Sequence, residues 1–321
     1  MKKLTKLDTA SIIAVRDCMA VKKNEKVLII TDEIKREIGY SLFENTKRLG
    51  HKALLLEMPS GKINGEEPPK EVAEMMGKFD VVLIPTTKSV THTDARRNAS
   101  AKGVRVATFP GITNEIMIRG MNADYKAISK RSLKLKKIME KAKHVKITAP
   151  AGTDIEFDIT GRTAIASKGL YHKKGESGNL PTGETFNAPV EGTANGIFVV
   201  DGSFAGLGLI GNVNIRVEVI DGFATKITGG NAAKKLNAML DNVGKKARNI
   251  AEFGIGTNDS ARLSGILLED EKVMGTVHLA LGNNVTMGGS VNVPIHVDGV
   301  IKKPTVYLDG KLLMKDGKLL I

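Results

Sequence analysis

Apolar residues follow two different rhythms along this chain. Through the first 130 residues they come as short continuous runs separated by amphipathic stretches. Lys26–Ile30 (KVLII), Ala53–Glu57 (ALLLE), Phe79–Pro85 (FDVVLIP) and Val104–Thr108 read as buried strands. Between them, residues 33–49, 68–76 and 93–102 have helical periodicity. The first closes on Gly50, the second has Pro68 near its start, and the third closes on Gly103. Strands alternating with helices predict a parallel sheet with helices packed on it.

Past residue 130 the texture changes. The stretch 131–146 (RSLKLKKIMEKAKHVK) predicts a connecting helix over 131–143, with Leu133, Leu135, Ile138 and Met139 turned inward and a basic face in water. Beyond it, HVKITAP, DIEFDIT and NIRVEVI alternate apolar and polar residues between Gly-rich turns, which is antiparallel patterning. One helix is expected near 231–248, and Asp309-Gly310 and Asp316-Gly317 mark closing hairpins. The expected architecture is an α/β N-terminal domain (1–130, a parallel sheet with helices) followed by a β-rich α+β C-terminal domain (131–321).

Composition narrows the function classes. A single cysteine, Cys18, leaves no internal disulfide and no Cys-based zinc site, and points to a reducing, cytoplasmic setting. No run of about 18 apolar residues occurs, so no transmembrane helix is expected. The net charge of +13 raises nucleic-acid binding, but the lysines are dispersed and the one dense stretch has no stacking aromatics, so a solvated basic surface is expected instead. No G-x-G-x-x-G follows the first strand, where the sequence runs TDEIKREIG, and there is no P-loop. His92, in KSVTHTDARR, reads as a loop residue before a Thr93 helix cap.

The chemistry concentrates in the second half. In Ile295-His296-Val297-Asp298-Gly299, residues i and i+2 of a strand share a face, so His296 and Asp298 can address one ion. His278 lies in a second strand, GTVHLALG. Glu252 sits among apolar neighbours in IAEFGIGTN, where burial is costly unless the carboxylate is paired or metal-bound. Glu184 sits in the Gly- and Pro-containing loop GNLPTGETFNAP. Three carboxylates and two imidazoles suit a two-metal hydrolase, or one His/His/carboxylate iron site with open positions.

Five segments, NLPTGETFNAP, IAEFGIGTN, LLEDEK, GTVHLALG and PIHVDG, resemble in sequence and order the thermophilic metallo-aminopeptidases (the aminopeptidase T and S family) over roughly residues 178–310. The resemblance implies a peptidase that releases N-terminal residues with metal-activated water. Its metal ligands fall on Glu184, Glu252, His278, His296 and Asp298, with Glu184 or Glu252 shuttling the proton. It also implies two divalent ions, zinc or cobalt, and a homodimer. His172 and Lys173 would then contact substrate. Two positions depart from the peptidases: Val285 stands where they carry a tyrosine, and Gly299 where they carry a bulky residue. Tyr171 is a conceivable replacement for that tyrosine. The alternative is the Fe(II) ring-cleaving dihydroxypyridine dioxygenase of the same superfamily, using His278, His296 and Asp298. Glu252 counts against it, because a histidine is expected there in the iron enzymes. A non-enzymatic basic binding protein is the third expectation.

Overall fold

The structure, a computed structural model, describes residues 3–321. The chain folds as two units, the first reaching to residue 129 and including 167–182, the second made of 130–166 and 183–321.

In the first unit the four apolar runs form a parallel sheet: β1 (Lys26–Asp32), β2 (Lys52–Met58), β3 (Val81–Thr86) and β4 (Arg105–Pro110). The order is β2-β1-β3-β4, every pair parallel. Val27–Ile30 and Val81–Ile84 are buried along their whole length, as continuous apolar runs must be when helices cover both faces of a sheet. Arg36–Arg48, Lys70–Met76 and Asp94–Ala101 are the intervening helices, and Thr93 caps the last by accepting the Arg96 N–H. Helices at Lys6–Ile13 and Asn114–Met121 complete the unit. A fifth strand, Ser177–Asn179, pairs in parallel with β4 and comes from far down the chain. The expected two-domain division at 130/131 did not anticipate this return, because three residues of Ser, Gly and Asn carry no hydrophobic period.

The connecting helix runs Tyr125–Met139, earlier than expected. It turns Leu135 and Met139 into the core, while Leu133 is 41% exposed rather than inward. The second unit is two antiparallel sheets, of eight and seven strands, packed over one core. Ile147, Phe157, Phe198 and Val217 of the larger sheet meet Phe253, Ile255, Leu279 and Leu281 of the smaller. The rings of Phe157 and Phe253 cross edge to face at 5.4 Å. Helix Gly230–Asp241 adds Ala233, Leu236 and Leu240 to this core and ends before a short 3-10 turn at Lys245–Arg248. Among the described residues no helix is long and apolar enough to cross a membrane. The parallel sheet with helices and the antiparallel β-rich second half are the expected fold class.

Candidate metal centre

Four neighbouring strands of the smaller sheet build the site: Glu184–Asn187, Ile250–Gly256, Thr276–Gly282 and His296–Lys302. Their register aligns the chemistry. Glu252 lies opposite Ala280, and Ala280 opposite Asp298; Gly254 lies opposite His278; Gly256 lies opposite Glu184. One face of the sheet therefore carries Glu184, Glu252, His278, His296 and Asp298, separated by glycine and alanine. The alternate residues, Phe253, Ile255, Val277, Leu279, Leu281, Val297 and Ile301, fill the core on the other face.

The small residues are required for this. A Cβ on Gly254 would lie 1.9 Å from His278 Nε2, and one on Gly256 would lie 2.0 Å from the Val273 carbonyl oxygen. Gly299, on the core face, is set the same way. Phe204 pairs opposite it, and a Cβ there would meet Val200 Cγ2 at 2.5 Å.

Glu252 is central. One carboxylate oxygen is 3.2 Å from His278 Nε2 and the other 3.1 Å from His296 Nε2. His296 Nε2 is also 3.4 Å from Asp298. On the inner side, His278 Nε2 is 3.7 Å from Glu184 Oε2. All five predicted residues are thus brought together, in the order Asp298, His296, Glu252, His278, Glu184. Glu184 opens a strand rather than standing in a loop, and Glu252 is on a central strand whose residues are all buried.

The array continues into two residues that sequence reasoning missed. Lys272, 2% exposed, donates to Glu184 Oε1 at 2.6 Å and to Glu271. LLEDEK was among the five segments of likeness, but its run of mixed charge looks like a solvated turn. A signal was present in the lone lysine four residues before the apolar strand that carries His278.

Exposure is graded. The His296 side chain is 31% exposed, whereas those of Asp298, Glu252 and Glu184 are below a tenth and His278 is fully buried. His296 is the most exposed side chain of the array, and Glu271 at the other end is 15% exposed. His296 Nδ1 lies 2.7 Å from the Asn283 carbonyl oxygen, to which it donates, and this aims Nε2 at Glu252 and Asp298, where it donates as imidazolium and would present a lone pair to an ion once that proton leaves.

Electrostatics follow from burial and pairing. Burial pushes the Glu252 carboxyl up, but hydrogen bonds from His278 and His296 outweigh it and hold the group at about 2. Burial pushes His278 down, but Glu252, Glu184 and Asp298 outweigh it and raise it to about 9; His296 is likewise raised by Asp298 and Glu252. Burial raises Glu184 despite Lys272 and His278 beside it. With no ion bound, the imidazolium groups neutralise the carboxylates.

A divalent ion fits these donors. Ligand atoms of Glu252, His296 and Asp298 lie within 4.8 Å of one another, as do those of Glu184, Glu271 and His278. Glu184 Oε2 and His278 Nδ1 are buried without a hydrogen-bond partner. The expected facial set of His278, His296 and Asp298 is not the compact one, since His278 lies across Glu252 from the other two.

Tyr171, His172 and Lys173 belong to the first unit. The Tyr171 hydroxyl donates to the Asn179 carbonyl, and His172 Nε2 is 2.8 Å from the Asp17 carbonyl oxygen. His92 precedes the Thr93 cap in the first unit, as expected of a loop residue. Val285 is 46% exposed on a short turn and offers no side-chain donor.

That turn is braced by Glu191, which accepts from Ser290 N at 2.6 Å and Asn284 Nδ2 at 2.9 Å and pairs with Arg162. Burial works against its charge, yet these donors hold the carboxyl at about 2, below its usual 4.5. A carboxyl depressed on folding stabilises fully above its unfolded value and loses that contribution as pH falls through the folded one. Glu191→Gln is therefore expected to lower stability by roughly 2 kcal/mol near pH 7. The gap between the two proteins should narrow between about pH 4.5 and 2, as their thermal melting across pH would read. A gap that is flat with pH would mean that the charge of Glu191 does not brace the turn.

The family model of NicX, 2,5-dihydroxypyridine 5,6-dioxygenase, matches residues 12–321. The chain belongs to the NicX family. A curated 2,5-dihydroxypyridine 5,6-dioxygenase of Pseudomonas putida KT2440 is 24% identical over 208 residues, 59% of this chain and 57% of that protein. The match thus spans little more than half of that relative's length. The solved structure of the dihydroxypyridine dioxygenase from Pseudomonas putida KT2440 superposes with a TM-score of 0.85 at 19% identity, covering 99% of this chain and 98% of that one. Wild-type AmpT from Thermus thermophilus superposes at 0.70 and 17% identity, covering 98% and 99%. At such identities both likenesses show the shared fold alone.

Membership in the NicX family overturns the expected aminopeptidase. Hydrolase chemistry and proteolysis fall with it, and the likeness to AmpT is one of fold. The five segments misled because they encode this sheet face, and oxygen and nitrogen donors on a fold common to both relatives do not specify the reaction. Glu252, expected to count against the dioxygenase, stands in a chain that the NicX family model matches.

Proposed function

We propose that this protein is a metal-dependent dioxygenase that opens a dihydroxylated nitrogen-containing aromatic ring, using one Fe(II) held by Glu252, His296 and Asp298. The observation that carries this is the NicX match over residues 12–321. The site supports it with a compact set of one imidazole and two carboxylates that includes the most exposed member, His296, where open coordination positions would admit a ring and oxygen. Iron when bound supplies the one-electron chemistry through which O2 reacts with a closed-shell aromatic. The protein's own part is to hold Glu252 and Asp298 in a buried pocket away from bulk water and to set the His296 tautomer through Asn283. His296 is the most exposed member, so a proton leaving a ring hydroxyl has its route to solvent past that imidazole.

The test is oxygen uptake. Protein loaded anaerobically with Fe(II) and mixed with 2,5-dihydroxypyridine is expected to consume O2 in step with loss of the ring's ultraviolet absorbance, and zinc-loaded protein is expected to consume none. Full iron occupancy with no uptake on any dihydroxylated pyridine would sink the reading.

A further inference from the structure

His296 follows a long connection. Residues 283–295 (NNVTMGGSVNVPI) join strands Thr276–Gly282 and His296–Lys302, where a hairpin loop commonly has about two to five residues. A loop of this length drifts unless it is tied down, and this one has little apolar anchorage: Met287 is buried, but Val285 is 46% exposed. Polar bonds hold it instead. Asn283 N donates to the Ile295 carbonyl and Val291 N to Asn284 Oδ1 at 2.8 Å, which closes the loop on itself. Two side chains from outside then grip it. Glu191 accepts from Asn284 Nδ2 at 2.9 Å, Ser290 N at 2.6 Å and Ser290 Oγ at 3.1 Å. Arg162 pairs with Glu191 and donates to the Gly288 carbonyl. Their side chains are 14% (Arg162) and 26% (Glu191) exposed, so water screens the pair only in part.

We propose that Arg162 and Glu191 are positioning residues of the metal centre: by clamping the 283–295 loop they hold the Asn283 carbonyl where it aims the His296 imidazole, so that ion binding depends on an ion pair outside the ligand set. Each step of the path is a bond. Glu191 grips the buried side chain of Asn284, one peptide joins Asn284 to Asn283, and the Asn283 carbonyl accepts from His296 Nδ1 at 2.7 Å. Asn284 is seated without slack, since a Cβ on Gly289 would lie 2.1 Å from its Cγ. Without the clamp the carbonyl moves with a loose loop and the imidazole is free to turn, so Nε2 is no longer held toward Glu252 and Asp298. Ordering that ligand is then charged to the binding step, which weakens affinity although every ligand is still present.

This inference rests on the reading of Glu252, His296 and Asp298 as the ion-holding set, and the experiment separates the two. Co(II), whose visible absorption reports its coordination, is titrated into metal-free protein, and the Nδ1 proton of the coordinating imidazole is followed by paramagnetically shifted NMR. Wild type is expected to bind Co(II) and to show that proton in slow exchange with water. Glu191→Gln is expected to bind about 10–100-fold more weakly, with a changed visible spectrum and rapid exchange of the proton. Arg162→Met, which removes the bonds to Glu191 and Gly288, is a second reading in case the first variant does not fold, and the same changes are expected. Val217→Ala, buried in the larger sheet, lowers stability without touching the loop and is expected to keep wild-type affinity and spectrum. Unchanged affinity and spectrum in a folded Glu191→Gln or Arg162→Met would overturn the inference. An equal loss in Val217→Ala would overturn it too, since the effect would then be one of stability alone. No binding in wild type would overturn the metal reading itself, and this inference with it.

Discussion

His296→Ala is expected to lose stoichiometric Fe(II) binding and with it oxygen uptake, by at least about a thousandfold, since a metal's contribution of several kcal/mol to the transition state goes with the ion. His296 is singled out because its Nε2 lies within 3.1 Å of Glu252 and 3.4 Å of Asp298, and it is the most exposed side chain of the array. Its side chain is 31% exposed, so truncation leaves no buried cavity. The loss should therefore appear in metal content and turnover while circular dichroism still shows a folded protein. His296→Gln retains a polar side chain and separates the loss of a ligand from the loss of bulk. If His296→Ala binds one iron with unchanged affinity, the ion sits elsewhere and Glu252/His296/Asp298 is only an ion-pair network.

The second large effect is expected from adding a single methyl group. Gly254→Ala places a Cβ 1.9 Å from His278 Nε2, an overlap that neither group can relieve cheaply. His278 is fully buried, and Gly254 is paired directly opposite it between two central strands. Either the imidazole leaves Glu252 or the strands part. Overpacking of this kind costs about 1–3 kcal/mol, and displacing a group that orients a ligand lowers metal affinity by roughly 10–100-fold. The backbone of Gly254 lies outside the left-handed region, so alanine is not strained there and the effect comes from the contact alone. Gly211→Ala is the control, because nothing lies within 4 Å of the position its Cβ would take. Thermal melting and a metal titration on the three proteins decide the matter. A Gly254→Ala protein as stable and as metal-competent as wild type would show that the sheet face has slack that the register does not suggest.

The five site residues were legible because each breaks a pattern in a way that physical chemistry penalises. An acid among Ile250, Ala251 and Phe253 and a histidine inside an apolar strand both need partners. The His296–Asp298 pair needs only the two-residue period of a strand to share a face. What these residues do was not legible. A carboxylate and imidazole set serves a water-activating ion and an oxygen-activating one alike, and the resemblance led to the peptidases while the NicX match covers nearly the whole chain.

The sequence by itself determined the parallel core of the first unit, since uninterrupted runs such as Val27–Ile30 can only be buried on both sides. It also determined the antiparallel character of the second unit and the shared face of His296 and Asp298. Tertiary structure decided the rest, through contacts with no local signal. In Ile250–Gly256 the core residues are Ile250, Phe253 and Ile255, a spacing that strict alternation does not produce. A bulge between Ile250 and Glu252 shifts the register and turns Glu252 to the polar face. The return of Ser177–Asn179 to β4 likewise depends on backbone pairing alone. Lys272 became part of the site for the same reason: a lysine beside acids satisfies its charge locally anywhere on a surface. Only the tertiary packing, which buries Lys272 and Glu184, makes this ammonium the neutralising partner of a buried centre.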